Sequence, residues 1–206
     1  TLLNTLTDLA DAGNRLCRKY GWPTHERQAY RYFVGNGIPK LVERLAPADQ
    51  RTPAVLEAAL ADFKRDYGQH LRDTTAPYPG IPEMLAKLKA NGVQLAVFSN
   101  KADALAKEVV KDYFGTQYFT IVRGQMTGVA PKPAAEGTNA LLQALHADPA
   151  STLYVGDSNV DVETAHNANL PCCGAVWGFR TREELNAAGA EYLAENSDEL
   201  YDVIMK

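Results

Sequence analysis

Three sets of polar residues after residue 80 combine types that can do chemistry. They are Ser99 with Asn100, Lys132, and Asp157 with Asp161. A hydroxyl beside a free backbone N–H suits an anionic oxygen, and a lysine ammonium can stabilise a phosphoryl group. Two carboxylates four residues apart suit Mg²⁺, which takes one or two protein carboxylates together with waters and phosphate oxygens.

Each set also has an ordinary structural explanation. Serine and asparagine favour turns, and most lysines lie in solvent. An aspartate at the start of a helix is a common N-cap with a favourable charge. Two features favour function: Lys132 is held between two prolines, and Gly156-Asp157 comes immediately after an apolar run.

The elements that must position these residues alternate between strand and helix after residue 80. Predicted strands cover 93–98, 118–123, 153–155, 171–177 and 191–194, and predicted helices cover 81–90, 103–113, 133–146, 161–168 and 198–205. The capping box of Thr181 and Glu184 predicts the start of one further helix. Such alternation predicts an α/β fold with a parallel sheet covered on both faces. Functional groups of such a sheet gather at the carboxyl ends of its strands, which is where the three sets fall.

The first half of the chain is helical instead. Apolar residues recur at three- and four-residue steps over 4–20, 25–45 and 56–71, and no convincing strand is predicted before residue 92. The segment Ala76–Gly80, with two prolines and a glycine, predicts a linker after this helical subdomain. Gly35-Asn36-Gly37 interrupts the second helical stretch, either as a turn that lets backbone approach a ligand or as a plain break between helices.

The composition excludes several classes of protein. The chain has 206 residues, of which 46% are hydrophobic and 22% charged, and its net charge is -4. It is too apolar for disorder, and it has no apolar run long enough to span a membrane. The net charge argues against a nucleic-acid-coating protein, whose surface is usually basic, but leaves a local basic pocket open. Three cysteines, two of them adjacent, predict reduced buried thiols in a cytoplasmic protein. Four scattered histidines lack zinc-ligand spacing.

Taken in order, the three sets resemble the second, third and fourth signature motifs of the haloacid dehalogenase superfamily of phosphohydrolases. The helical insertion before residue 76 and the tail Pro171–Arg180 resemble its phosphoglycolate phosphatase branch. The resemblance covers essentially the whole chain. It implies a Rossmann-like parallel-sheet catalytic core of residues 1–7 and 76–206, with an inserted helical cap of residues 8–75 that closes over the site.

The resemblance implies Mg²⁺-dependent hydrolysis of a phosphomonoester through an aspartyl-phosphate. Asp157 would hold the metal, and Asp161 would ligate it through water or orient Asp157. Lys132 would be catalytic, stabilising the charge of the nucleophile and the transferring group. The implied substrate-binding residues are Thr1, Ser99, Asn100 through its backbone, Lys132, Gly35, Asn36 and Gly37.

The first signature motif matches only at its end. Thr1 matches the threonine of that motif, and Asn4 stands where the family usually has an acid. The nucleophilic aspartate and the aspartate that acts as general acid and base belong ahead of Thr1. Two interpretations follow: about ten further residues precede Thr1 in the natural protein, or the protein is a pseudoenzyme. We expect the first, because losing a central strand leaves several buried backbone groups unpaired, each costing about 1–3 kcal/mol.

The branch suggests 2-phosphoglycolate as substrate, whereas relatives accept pyrophosphate, sugar phosphates or nucleotides. A sugar phosphomutase usually carries valine where Thr1 stands. A carbon–halogen hydrolase would not need Mg²⁺, and Gly156-Asp157 disfavours it. A non-catalytic phospholigand-binding protein is the third class. The expected partner is a small phosphorylated metabolite, with no nucleic acid or membrane, and the protein is expected to be a monomer or homodimer.

Overall fold

The computed structural model describes residues 1–206, which divide into two compact units. One unit comprises Leu3–Ala76, and the other comprises Thr1–Leu2 together with Pro77–Lys206. The predicted cap, residues 8–75, lies within the first of these. No helix combines the length and the apolar character that crossing a bilayer requires.

The first unit is helical, as the apolar periodicity predicts. Its elements are β1 (Leu3–Asn4), α1 (Leu6–Tyr20), α2 (Tyr30–Phe33), α3 (Ile38–Leu45) and α4 (Pro53–Gln69), followed by β2 (Ala76–Pro77). The expectation of no strand before residue 92 is wrong in one detail, since β1 pairs with β2. These are two-residue strands, too short to produce an alternating pattern in the sequence.

Local signals explain where these helices begin and end. α1 ends at Gly21, whose φ of 68° is the left-handed conformation that glycine adopts without strain. α4 begins after Thr52, whose hydroxyl accepts a hydrogen bond from the Val55 N–H. Phe63 and Tyr67 on α4 are fully buried and form part of the core of this unit.

The second unit has the predicted alternation, and the α/β fold class is confirmed. Its elements are α5 (Ile81–Ala90), β3 (Leu95–Ala102), α6 (Asp103–Phe114), β4 (Phe119–Gln125), α7 (Glu136–Leu145), β5 (Tyr154–Gly156), α8 (Asn159–Asn167), β6 (Cys172–Ala175), α9 (Arg182–Ala187), β7 (Tyr192–Ala194) and α10 (Ser197–Ile204). α9 starts with the capping box of Thr181 and Glu184.

Within residues 1–206, the strands of this unit pair in parallel in two groups. β3 pairs with β4, and the second group has the order β5-β6-β7. All four residues of β6 are buried, which explains the apolar run that contains both adjacent cysteines. β3 pairs only with β4, and β5 pairs only with β6, so β3 and β5 do not pair with each other.

Two element boundaries differ from the prediction and move site residues. β3 continues to Ala102, because its pairing with β4 resumes after an irregularity beyond Phe98, so Ser99 and Asn100 lie within the strand. α7 begins at Glu136 rather than at 133, because the Ala134 N–H bonds the carbonyl of Pro131 in a turn. Lys132 therefore lies in a loop, and the expectation that it directly precedes a helix N-terminus is wrong.

Candidate active site

The paired acids lie where β5 passes into α8. Asp157 follows the last residue of β5, and Asp161 lies in the first turn of α8. Both are buried, with 5% and 6% of their surface exposed. A Cβ at Gly156 would lie 2.1 Å from the Cβ of Asp161, so only glycine lets the helix turn approach the strand end this closely. The Gly-Asp sequence thus has a packing cause.

Asp161 organises the start of α8. Its Oδ2 accepts hydrogen bonds from the Asp157 N–H at 3.2 Å, the Ser158 N–H at 3.1 Å and the Ser158 hydroxyl at 2.7 Å. Its Oδ1 lies 2.6 Å from the Nζ of Lys132. Because both oxygens are engaged, this arrangement favours the orienting role for Asp161 over direct metal ligation, and its assignment as a ligand stays a prediction.

Lys132 and Asp161 form a buried ion pair, with 10% and 8% of their side chains exposed. Burial alone lowers the pKa of Lys132, but the charge of Asp161 and its hydrogen bond outweigh burial, and the pKa lies above its usual value. Burial alone raises the pKa of Asp161, but Lys132 outweighs that effect and the pKa is lowered. Both groups are therefore charged at neutral pH.

Two aromatic rings flank the ammonium of Lys132. Its Nζ lies 5.8 Å from the ring centroid of Phe98 on β3 and 6.0 Å from that of Tyr154 on β5. Burial raises the pKa of Tyr154 to about 12, so its hydroxyl keeps its proton at neutral pH. The rings limit the water around the ion pair, which strengthens the attraction between its charges.

Asn100 reaches the same lysine from β3 through its side chain. Its Oδ1 accepts from the Lys132 N–H at 2.9 Å, and its Nδ2 donates to the Lys132 carbonyl at 3.2 Å. Neighbouring Ser99 accepts from the Lys101 N–H at 3.1 Å through its hydroxyl. The structure therefore joins Asn100, Lys132, Asp161 and Asp157 in one hydrogen-bonded series.

Thr1 lies against Asp157. The Thr1 backbone nitrogen lies 2.9 Å from the Asp157 Oδ2, and the Trp177 indole N–H donates to the Thr1 carbonyl at 3.0 Å. A Cβ at Gly178 would lie 2.1 Å from the same Asp157 oxygen. The Asp157 carboxylate thus lies against the Thr1 backbone and beside a glycine that leaves it room.

Gly35, Asn36 and Gly37 belong to the first unit. The two glycines have φ values of 112° and 85°, which other residues rarely adopt. The Arg44 guanidinium donates to the Asn36 side chain at 2.9 Å and to the Phe33 carbonyl at 2.8 Å, so it holds this turn. The role of the turn in contacting substrate stays a prediction.

The residues around Asp157 fit a divalent cation. The carboxylate is buried, and its oxygen is the hard ligand that Mg²⁺ prefers. No cluster of three or more His, Cys, Asp or Glu side chains is arranged as a metal site. Mg²⁺ usually takes one or two protein carboxylates, with waters and phosphate oxygens in its other positions.

Sequence reasoning missed the side chains that hold the charged groups. The sequence places Phe98, Tyr154 and Trp177 only in apolar runs or in the tail, and it relates Asn100 to substrate only through the backbone. One signal was available: in Pro131-Lys132-Pro133 only Lys132 has a backbone N–H, so a partner for it had to come from elsewhere.

Comparison with known proteins identifies the family. The model of the haloacid dehalogenase-like hydrolases matches residues 1–175, and the chain belongs to this family. A phosphoglycolate phosphatase of Chromobacterium violaceum is 29% identical over 207 residues, covering 99% of this chain and 92% of that protein. One of Neisseria meningitidis is 31% identical over 182 residues, covering 87% of this chain and 77% of that protein.

Solved structures agree with this assignment. A protein of Lactobacillus delbrueckii subsp. bulgaricus, provisionally assigned as a phosphoglycolate phosphatase, superposes with a TM-score of 0.93 at 27% identity, covering 99% of this chain and 94% of that one. The predicted superfamily, its phosphoglycolate phosphatase-like branch and the phosphatase class of enzyme are thereby confirmed. The Rossmann-like core with a helical cap is the fold of these relatives.

Proposed function

We propose that the protein hydrolyses a small phosphomonoester in a Mg²⁺-dependent reaction, with 2-phosphoglycolate as the first candidate substrate. The observation that carries the proposal is the buried Lys132–Asp161 pair, held beside Asp157 at the end of β5. A dehydrated ammonium next to a cation-binding carboxylate suits a transferring phosphoryl group, whose oxygens carry the developing charge.

Asp157 would hold the metal. When bound there, Mg²⁺ supplies positive charge that neutralises phosphoryl oxygens. Asp161 keeps Asp157 and Ser158 in place through their N–H groups and keeps Lys132 charged. Its assignment as a second metal ligand, directly or through water, belongs to the same proposal.

Lys132 would stabilise negative charge on the phosphoryl group, and its partner prevents the loss of its proton. Ser99 and the Asn100 backbone N–H would bind a phosphoryl oxygen from the β3 side, with Thr1 at the Asp157 side. The phosphoryl acceptor implied by the family resemblance is an aspartate of the first motif. That residue is not among residues 1–206, so the roles proposed for residues of this chain are charge stabilisation and binding. The proposed reaction would pass through an aspartyl-phosphate formed on that aspartate.

Relatives across 87–99% of this chain carry the name phosphoglycolate phosphatase, and this supports the substrate proposal. The same chemistry would accept another small phosphorylated metabolite or pyrophosphate. A cytoplasmic location and a monomeric or homodimeric state stay predictions. The three cysteines are free and buried.

The test uses the natural full-length protein and a panel of phosphomonoesters that includes 2-phosphoglycolate, a sugar phosphate, a nucleotide and an aryl phosphate. Released phosphate is measured with Mg²⁺ and with excess EDTA. We expect turnover that requires Mg²⁺ and is highest for 2-phosphoglycolate. Metal-independent turnover, or phosphate binding with no turnover of any ester, contradicts the proposal. A preference for another ester overturns only the substrate assignment.

A further inference from the structure

Lys132 is held at both of its ends by residues distant in sequence. Its ammonium bonds Asp161, 29 positions away, and its backbone bonds Asn100, 32 positions away. The contact with Asp161 neutralises the lysine charge, whereas the contact with Asn100 involves no charge and fixes only the position of the backbone. The two contacts therefore have different roles.

The loop around Lys132 explains why an asparagine side chain is needed. Pro131 and Pro133 have no N–H, so Lys132 has the only backbone donor in this three-residue segment. Lys132 lies in the loop between β4 and α7 and belongs to neither element, so its N–H and carbonyl have no partner from a helix turn or strand ladder of its own. The amide of Asn100 has one acceptor and one donor group, which match the N–H and the carbonyl of a single residue.

We propose that Asn100 is a positioning residue that acts through Lys132: its side chain sets the place from which the lysine reaches the phosphoryl group. The inference deepens the proposed function and rests on it. It differs from the role of the Asn100 backbone N–H toward substrate, which no side-chain substitution removes.

The activity test is a double-mutant cycle on the full-length protein, with 2-phosphoglycolate and Mg²⁺. We expect Asn100→Ala to lower kcat about 10- to 100-fold with little change in KM, because small misplacements of a catalytic group have effects of this size. In a Lys132→Ala background, the same substitution should lower kcat less than about twofold, since the group it positions is gone.

Two further variants separate positioning from general support of the loop. Asn100→Asp keeps the acceptor for the Lys132 N–H but loses the donor, so its kcat should lie between those of the wild type and Asn100→Ala. Asn167→Ala is the matched control, because Asn167 donates to the carbonyl of Pro133 in the same loop rather than to Lys132. Its kcat should stay within about twofold of the wild type.

The inference is overturned if Asn100→Ala costs the same factor with and without Lys132, because Asn100 would then act on the substrate itself. It is also overturned if Asn167→Ala costs as much as Asn100→Ala.

A readout without activity keeps the inference separate from the proposed function. The coupling between Lys132 and Asp161, measured by urea unfolding of the single and double variants, should fall by at least half when Asn100 is replaced by alanine. Unchanged coupling contradicts the positioning role. Failure of the wild type to hydrolyse any phosphomonoester contradicts the proposed function alone, and the unfolding result still decides the inference.

Discussion

Replacing Lys132 by methionine should destabilise the protein far more than replacing an exposed lysine in an ion pair of the same length. The Lys132 Nζ and the Asp161 Oδ1 are 2.6 Å apart, and both side chains are at most 10% exposed. At an effective dielectric constant of about 20, two unit charges at this distance attract by about 6 kcal/mol before desolvation is counted. Asp161 loses that partner in the variant and stays buried.

The expected loss in free energy of unfolding is about 3 kcal/mol. Removing one partner of a buried pair typically costs about 3–5 kcal/mol, and Asp161 keeps three hydrogen bonds at its Oδ2, which places this case at the low end. Since a domain is stable by about 5–15 kcal/mol, the variant should remain folded and measurable.

Lys107→Met is the matched control. The Lys107 Nζ lies 2.7 Å from the Asp103 Oδ2, but 58% of the lysine side chain and 22% of the aspartate side chain are exposed. Solvent screens such a pair, so its loss should cost only about 0.3–0.5 kcal/mol. The two lysines thus differ in burial and hardly in distance.

The assay is urea unfolding followed by circular dichroism at neutral pH, without metal. A double variant, Lys132→Met with Asp161→Asn, should recover most of the loss because no uncompensated charge stays buried. Equal costs for Lys132→Met and Lys107→Met would refute the reasoning, and so would strict additivity of the two substitutions in the double variant.

Three further predictions concern other parts of the molecule. Gly156→Ala should lower the free energy of unfolding by about 1–3 kcal/mol in thermal unfolding, because the new Cβ would overlap Asp161. Gly68→Ala on α4 is the control: a Cβ there meets nothing within 4 Å, so the variant should be stabilised by about 0.5–1 kcal/mol, and equal effects would contradict the prediction. Asp8→Ala should lower the free energy of unfolding in urea by at least about 3 kcal/mol, because the buried Asp8 carboxylate accepts four hydrogen bonds from Thr74 and Thr75. Asp11 is exposed, so Asp11→Ala should cost under about 0.5 kcal/mol. Burial raises the pKa of the Cys17 thiol to about 11. The stability that the protonated thiol contributes is therefore complete below the thiol pKa of the unfolded chain and is lost as pH rises toward 11. Cys17→Ala should lose less free energy of unfolding between pH 8 and pH 11 than the wild type, and equal losses would contradict this.

The order of elements could be predicted because its causes are local. The capping box of Thr181 and Glu184, the apolar run around Cys172 and the helical periodicity before Ala76 each act within a few residues. The end of β3 could not be placed, because strand pairing with β4 continues past the last apolar residue, Phe98. Pairing with a distant strand leaves little trace in the strand's own sequence.

The residue types in the sequence indicate the acids, the lysine and the asparagine of the site. They do not indicate which of these residues contact one another. Asn100 and Lys132 bond across 32 positions, and Tyr154 and Phe98 approach the same ammonium from two different strands. These contacts depend on how the loop before α7 lies over the sheet ends. Only the missing N–H groups of Pro131 and Pro133 pointed to such a partner.

The most direct test of the central claim is hydrolysis of 2-phosphoglycolate by the natural full-length protein and by its Asp157→Ala variant, each titrated with Mg²⁺. We expect saturable Mg²⁺ activation of the wild type and at least about a 100-fold loss of kcat in the variant, since the variant lacks the buried carboxylate proposed to hold the cation. Ser158→Ala serves as a folded control with a smaller loss, because Asp161 keeps its bonds to two backbone N–H groups and to Lys132. Unchanged Mg²⁺-dependent turnover in Asp157→Ala would contradict the account.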